Sequence, residues 1–481
     1  MDKRANRIYL CLAHMSEEGL EQKYIKEAFD TNWVVPLGPN VNGFEKDLED
    51  FVNGVSRFKI QDSSDLKPET AGGMKPETLS KRVVALSAGT AAVHLALIAC
   101  GVKPGDEVLV QSFTFCASSH PITYLGATPV FIDSEKDTWN MDPVLLEEAI
   151  KDRIAKTGRK PKAIVPVALY GMPYQIDKIM EIAGRYDIPV VEDAAEGFGS
   201  RFNGQVLGTF GKYGVLSFNG NKMITTSGGG ALITNNEDEW REIMMYATQY
   251  RESYPYYQHE KIGYNYRMSN ICAGIGRGQM TVANDHIAHH KHVQKLYEEL
   301  LADVPGITVH SQPKNENDNK NEKKYDSNYW LCTITLDPDV KVEGQENAYK
   351  AIVTGAVGGA AGVIHAAKTA TTDCQPNDNV EALRVGLDAM NIEARPVWKP
   401  MHRQPVYRHG EIQVSRFKIQ DSRFKIQEQD CQCITSESSV AYVNGVSEAL
   451  FKVGMCLPAG PYVTDDDVKY IVEAIKSLIE S

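Results

Sequence analysis

Between Val83 and about Ala247 the chain alternates short, almost unbroken apolar runs with amphipathic stretches. The apolar runs at residues 83–86, 107–111, 128–132, 163–167, 189–192, 215–218 and 231–234 read as strands. Helical periods start at Thr90, run up to Leu125, and recur over 142–150 and 177–186. Strands apolar on both faces and separated by helices predict a parallel or mixed sheet covered on both sides. Upstream, a helix around 18–29, a Pro/Gly-rich turn at 33–39 and a charged helix over 43–52 are expected. Beyond about residue 280, a long helix rich in His and charge leads into further strands and helices ending at Ser481. The expected fold class is α/β, with an N-terminal arm (1–40), a large domain (41–285), and a linker helix with a smaller C-terminal α/β domain (286–481).

Two segments break the pattern. Residues 56–81 are polar and carry the quartet Lys67-Pro68-Glu69-Thr70 again as Lys75-Pro76-Glu77-Thr78. The octapeptide starting at Ser56 recurs at 415–422, and its core returns at 423–427. Such repeats are too short to be solenoid units. Both 56–81 and 410–440 are expected to be surface insertions of low structural content, and nothing physical explains why they match.

Composition narrows the class. With 481 residues, 42% of them hydrophobic, the chain can bury a large core. A net charge of −12 argues against a nucleic-acid-binding protein. Nine scattered cysteines read as reduced thiols and not as a disulfide framework. The apolar run at 8–13 is too short for a signal peptide. The Gly/Ala-rich stretch 349–368 lacks the large apolar residues of a membrane span. The expected location is the cytoplasm.

Folds of this kind place ligands at the C-terminal ends of parallel strands, and four of these ends carry chemistry. Ser87-Ala88-Gly89-Thr90 joins a strand to a helix. Gly89 permits close backbone approach, and Thr90 is expected to cap the helix so that its amides face a phosphate. Ser112-Phe113-Thr114-Phe115 brings an aromatic ring that could stack on a heteroaromatic cofactor. Val190-Val191-Glu192-Asp193 delivers a carboxylate of the kind that keeps a pyridinium nitrogen protonated. Ser217 and Lys222 lie on a Gly-bracketed turn, where a hydroxyl can reach a phosphate and a partly desolvated amine can attack a carbonyl. Each signal alone has a commoner explanation: an ordinary cap, a core phenylalanine, a turn-capping aspartate, a solvated lysine. Their order is the one pyridoxal 5′-phosphate (PLP) requires. A dinucleotide site is excluded, since Gly274, Gly276 and Gly278 sit in a helical stretch and not after a strand.

With these residues in place, the chain resembles the fold-type I, PLP-dependent sugar-nucleotide aminotransferases of the DegT type. The resemblance extends through Pro36-Leu37-Gly38-Pro39, Pro104-Gly105-Asp106-Glu107-Val108, Gly126-Ala127-Thr128-Pro129-Val130, Gly263-Tyr264-Asn265-Tyr266-Arg267-Met268 and Trp398-Lys399-Pro400-Met401-His402. It implies that Lys222 binds the cofactor covalently and shuttles a proton, and that Asp193 pairs with the ring nitrogen. It implies that Phe115 stacks on the ring and that Gly89, Thr90 and Ser217 hold the phosphate. Asn265 would reach the phosphate of a neighbouring subunit in a homodimer. Glu196 would lie near the cofactor's phenolic oxygen, and His402, with Lys399, near the sugar-nucleotide. Lys222 stands where dehydratase members of the family carry histidine, which favours transamination. The wording around Lys222 and over 451–460 is most similar to enzymes acting on UDP-linked 4-keto-6-deoxy-N-acetyl sugars of the bacillosamine type. GDP-linked perosamine-type enzymes and a non-catalytic PLP-fold regulator are the alternatives. No metal is expected: His286, His289, His290 and His292 lack a completing carboxylate or cysteine and read as a partly solvated linker helix.

Overall fold

This computed structural model describes residues 4–54, 80–314, 323–349, 374–407, 413–417, 431–435 and 439–479. The expected insertion at 56–81, the Gly/Ala-rich stretch, most of the charged run at 314–324 and the second copies of the octapeptide lie largely outside them.

Seven strands form the centre. They are β1 (Arg82–Leu86), β2 (Glu107–Gln111), β3 (Thr128–Ile132), β4 (Ala163–Val165), β5 (Val191–Asp193), β6 (Tyr213–Ser217) and β7 (Gly230–Thr234). β3, β2 and β4 pair in parallel, and parallel bridges at Ile164–Val190 and Val167–Asp193 carry the sheet on to β5. β5 pairs in parallel with β6, while β7 runs antiparallel between β6 and β1. The alternation explains the apolar runs. Val83 and Ala85 of β1 enter one buried cluster, and Val84 and Leu86 enter the cluster on the opposite face. Burying a valine or leucine here contributes about 1.5–3 kcal/mol, so putting a polar residue in place of one of them would be costly.

The segment expected as a second insertion is in part ordered strand. Val440–Val443 pairs in parallel with β3. Cys431–Thr435 and Gln413–Phe417 add antiparallel beyond it. The sheet therefore takes strands from far beyond residue 286, and the expectation of low structural content for 410–440 is corrected. The local pattern hid this because the octapeptide copies interrupt it.

Four helices set the frame around the sheet: α1 (Leu20–Asp30), α2 (Pro39–Val52), α3 (Gly89–Ala99) and α4 (Asn270–Leu300). α4 starts earlier than the charge pattern suggests, at a Ser269 hydroxyl that accepts the Ile271 N–H. Its glycines are a packing surface: a Cβ at Gly278 would stand 2.6 Å from the Glu21 backbone nitrogen. That close crossing seats α1 on α4. The helix expected to run to Leu125 is a 3₁₀ turn, Cys116–Ser118, followed by the short helix His120–Tyr124.

A smaller antiparallel sheet, ordered Ile307–Val309, Cys332–Leu336, Gly454–Leu457 and Arg395–Pro396, packs under the helices Asp378–Ala389 and Asp465–Leu478. Among the described residues no helix is long and apolar enough to cross a membrane.

Candidate active site

β6 and β7 are antiparallel with Ser217 opposite Gly230, so the chain between them must fold back over the end of the sheet. Phe218 N–H donates to the Gly229 carbonyl (2.8 Å), and Lys222 N–H to that of Asn219 (3.0 Å). This turn holds Lys222 with only 13% of its side chain exposed, its Nζ 3.3 Å from Glu196 Oε1. The same amine sits 4.0 Å above the centre of the Trp330 ring, a cation–π distance. Trp330 is fully buried, and its Nε1–H donates to the Asn221 carbonyl at 2.6 Å. One indole thus holds the turn by its edge and the amine by its face.

Glu196 and Asp193 are the carboxylates of the buried floor beside Lys222. Glu196 Oε2 accepts the Tyr170 N–H at 2.7 Å. Burial raises the Glu196 carboxyl above its ordinary range, against the pull of Lys222. Tyr170 adopts φ +53°, a left-handed conformation costly for a tyrosine and held here by its neighbours. Asp193, at the end of β5, accepts from Ser118 Oγ (2.7 Å) and from Ala195 N–H (3.1 Å). Burial outweighs those two donors and Lys222 together, and the Asp193 carboxyl is raised. Such a group is short of positive charge, which a protonated pyridine nitrogen supplies. Next along β5, Glu192 is fully buried and pushed up to about 7 by burial, with Phe210 N–H donating to its Oε2 at 3.0 Å.

The helix start expected to hold a phosphate is built differently from expectation. α3 begins at Gly89, with Ala88 as its extended N-cap and no side chain capping the helix. Thr90 lies within the first turn, so it is not the cap; alanine has no oxygen to fill that place. The uncapped amides suit an anionic ligand, and the helix dipole adds to that. A Cβ at Gly89 would lie 3.0 Å from Ser217 Cβ, so glycine lets the helix start rest directly on Ser217. The residues present fit a phosphate at one end, a pyridinium at Asp193 and an aldehyde at Lys222.

Phe115 is half exposed, its ring 5.5 Å from that of Trp398 at 52°. Trp398 stacks in turn on Tyr170 at 6.1 Å, and its backbone N–H donates to the Tyr170 hydroxyl at 2.7 Å. Asn265 is exposed between Tyr264 and Tyr266, on a segment tied to β1 through Ser87 N–H and the Tyr266 carbonyl (2.8 Å). Lys399 is part-buried, and its carbonyl accepts from Gln404 Nε2 at 3.2 Å. His402 is buried, with Ser112 Oγ 2.6 Å from its Nδ1 and Glu448 Oε1 3.0 Å from its Nε2. The structure thus brings Lys222, Glu196 and Asp193 together, and Gly89 with Ser217. Asn265 stands on the outside.

Sequence reasoning missed Trp330, Tyr170 and Ser118. Ser118 lies three residues past Phe115 and was findable as a donor near that strand end. Trp330 comes from beyond α4, and no local signal marks it.

A helix start, a buried aspartate and a lysine turn at neighbouring ends of one mixed sheet define a class: the PLP-dependent transferases of fold type I. Residues 77–357 match the DegT/DnrJ/EryC1/StrS aminotransferase family, and the chain belongs to it. Bacillus subtilis (strain 168) EpsN, described as a pyridoxal phosphate-dependent aminotransferase, is 37% identical over 99% of this chain and 96% of its own. GDP-perosamine synthase of Escherichia coli O157:H7 is 30% identical over 97% of this chain and 98% of its own. The crystal structure of a DegT DnrJ EryC1 StrS aminotransferase from Brucella abortus superposes with a TM-score of 0.69. It is 23% identical and covers 96% of this chain and 95% of its own, which shows the shared fold. The protein is an aminotransferase, and its cofactor is PLP.

Proposed function

We propose that this enzyme moves an amino group from an amino acid, glutamate, to a nucleotide-linked 4-keto-6-deoxy sugar, UDP-linked and N-acetylated. The observation that carries the amino-transfer part of the reading is the convergence of Lys222, Glu196 and Asp193 beside the uncapped start of α3. The choice of a UDP-linked N-acetyl sugar rests on the likeness of the wording around Lys222 and over 451–460.

When bound, PLP supplies an electron sink for the carbon that gains or loses the amine. Asp193 holds the proton on the ring nitrogen, and its burial makes that charge pair strong. The α3 amides at Gly89 and Thr90, with the Ser217 hydroxyl, bind the phosphate. Phe115 would be the aromatic residue beside the cofactor ring. Lys222 would be the residue that holds the cofactor, and its Nζ would serve as the base that moves the proton at the amine-bearing carbon. Glu196, 3.3 Å away, orients that amine while its other oxygen is held by Tyr170. The enzyme acts as a homodimer in which the partner's Asn265 reaches the phosphate. The exposure of Asn265 on its own chain supports this, as do exposed Tyr256, Tyr257 and Ile262 nearby.

The test is a panel of keto-sugar nucleotides assayed with glutamate, the amino sugar being measured directly. Amination of a UDP-linked N-acetyl 4-keto sugar is expected. A GDP-linked sugar is the second reading, favoured by the full-length likeness to GDP-perosamine synthase, and the same panel separates the two. Purified holoenzyme that aminates no member of the panel would overturn the proposal and favour a regulatory role.

A further inference from the structure

We infer that Ser112, His402 and Glu448 form a hydrogen-bonded relay that positions the aromatic wall of the active site, His402 acting through the loop it anchors and not by touching substrate. The inference rests on the sugar-nucleotide reading above only for its kinetic arm.

Ser112 follows β2 directly and is fully buried. Its carbonyl accepts the Met401 N–H (2.8 Å), and its hydroxyl oxygen accepts the His402 N–H (3.3 Å). The same hydroxyl lies 2.6 Å from His402 Nδ1, and on the other side of the ring Nε2 lies 3.0 Å from Glu448 Oε1. A ring carrying its proton on Nε2 satisfies all of these at once: it donates to Glu448 and accepts the Ser112 O–H, whose oxygen remains free to accept the backbone. Both nitrogens are occupied and only 2% of the side chain is exposed, so no edge is left for a ligand.

Glu448 is itself fixed. It belongs to the first turn of the helix Val446–Val453, whose start is held by Asp133 just beyond β3. Asp133 Oδ2 accepts from Asn444 N–H (3.1 Å) and Gly445 N–H (2.9 Å), and its Oδ1 from Ser447 N–H (3.1 Å). Burial works to raise the Glu448 carboxyl, but the His402 hydrogen bond and the Arg403 and Lys452 cations outweigh it and hold it below its ordinary range. Two adjacent strand ends are therefore tied to the C-terminal segment, one through Asp133 and one through His402.

What hangs from the anchor is the wall. Three residues after Ser112 comes Phe115, and four residues before His402 comes Trp398, their rings 5.5 Å apart. Tyr170, which holds Glu196, stacks on the same indole. Loosening the relay lets the two rings move independently, so the loss falls on how substrate and cofactor are held beside the wall more than on proton transfer at Lys222.

The experiment uses the full-length holoenzyme with Ser112→Ala, His402→Ala and Glu448→Ala, and with Glu448→Gln, which still accepts from Nε2. Two readouts are taken: the near-ultraviolet circular dichroism of the indoles without substrate, and KM and kcat for the aminated sugar-nucleotide. All three alanine variants are expected to shift the indole signal alike and to raise KM about tenfold, with kcat changed less. The double variant Ser112→Ala/His402→Ala should lose little more than either single one, and Glu448→Gln should stay near wild type. If only His402→Ala raises KM, while Ser112→Ala and Glu448→Ala match wild type, the histidine touches substrate and the inference falls. It falls equally if the indole signal is unchanged in all variants. A wild-type enzyme that aminates no sugar-nucleotide defeats the functional reading alone, because the dichroism arm still decides the relay.

Discussion

The Lys222 turn and the histidine stretch of α4 are opposite solutions to placing ionisable groups. The turn carries one lysine, and its partners arrive from elsewhere: Glu196 and Asp193 from the end of β5 and Trp330 from beyond α4. The helix carries four histidines within seven residues, and each is spent on a different neighbour. His286 Nδ1 faces the Met223 carbonyl, His289 Nε2 that of Val463, and His290 Nδ1 that of Tyr329, while His292 Nε2 faces Asp465. Among the described residues no group of three His, Cys, Asp or Glu comes together as a metal would require. Density along the chain is therefore a poor guide to chemistry. What counts is whether several elements deliver groups to one buried point.

The sharpest way to break that contrast is Lys222→Ala. Amino transfer should fall on the order of 10⁴-fold, and borohydride should no longer fix the cofactor to the protein. Residual turnover near wild type would move the chemistry elsewhere. Next comes the acid stability of α4. His290 is fully buried and pushed down to about 3 from 6.5 by burial, with the Tyr329 hydrogen bond opposing. A base depressed in the folded state leaves stability intact above pH 6.5 and removes it as pH falls towards 3, on the order of 5 kcal/mol at the limit. Urea titrations at pH 7 and pH 4 should show a smaller drop for His290→Gln than for wild type, and an equal drop would refute the burial argument. Asp193→Asn replaces the carboxylate proposed to pair with the ring nitrogen by a neutral group, an expected loss of about 1.5–3 kcal/mol. Dialysis followed by cofactor absorbance should show ten- to a hundredfold weaker retention. The smallest effect is expected for His292→Ala, whose pair with Asp465 is about half exposed on both sides. Its cost should stay within about 0.5 kcal/mol by the same titration, and a large one would reveal a role the geometry does not give it.

The central sheet was legible in the residues because its strands are buried on both faces and so read as plain apolar runs; β1 and β2 fall within one residue of expectation. Where the four strands that carry the candidate site residues end was legible too, since apolar runs end visibly. Thr90 was misread because a threonine beside a glycine looks like a cap, whereas the cap lies two residues earlier, at Ala88. Trp330 was not legible at all. Its place under Lys222 depends on how the chain returns after a helix of 31 residues, and no local period encodes that return. His402 was flagged through family likeness, but what its ring nitrogens meet, Ser112 and Glu448, is fixed only by tertiary contact.

The parallel pairing of Val440–Val443 with β3 joins residues roughly 310 apart in sequence. On the ribosome, β3 therefore emerges long before its neighbour exists, and its outer edge waits unpaired while the rest of the chain is made. An open apolar edge is a template for association between nascent chains. Completion of the large sheet, and with it the Ser112 and Asp133 anchors, therefore waits until the residues around 440–448 have been made.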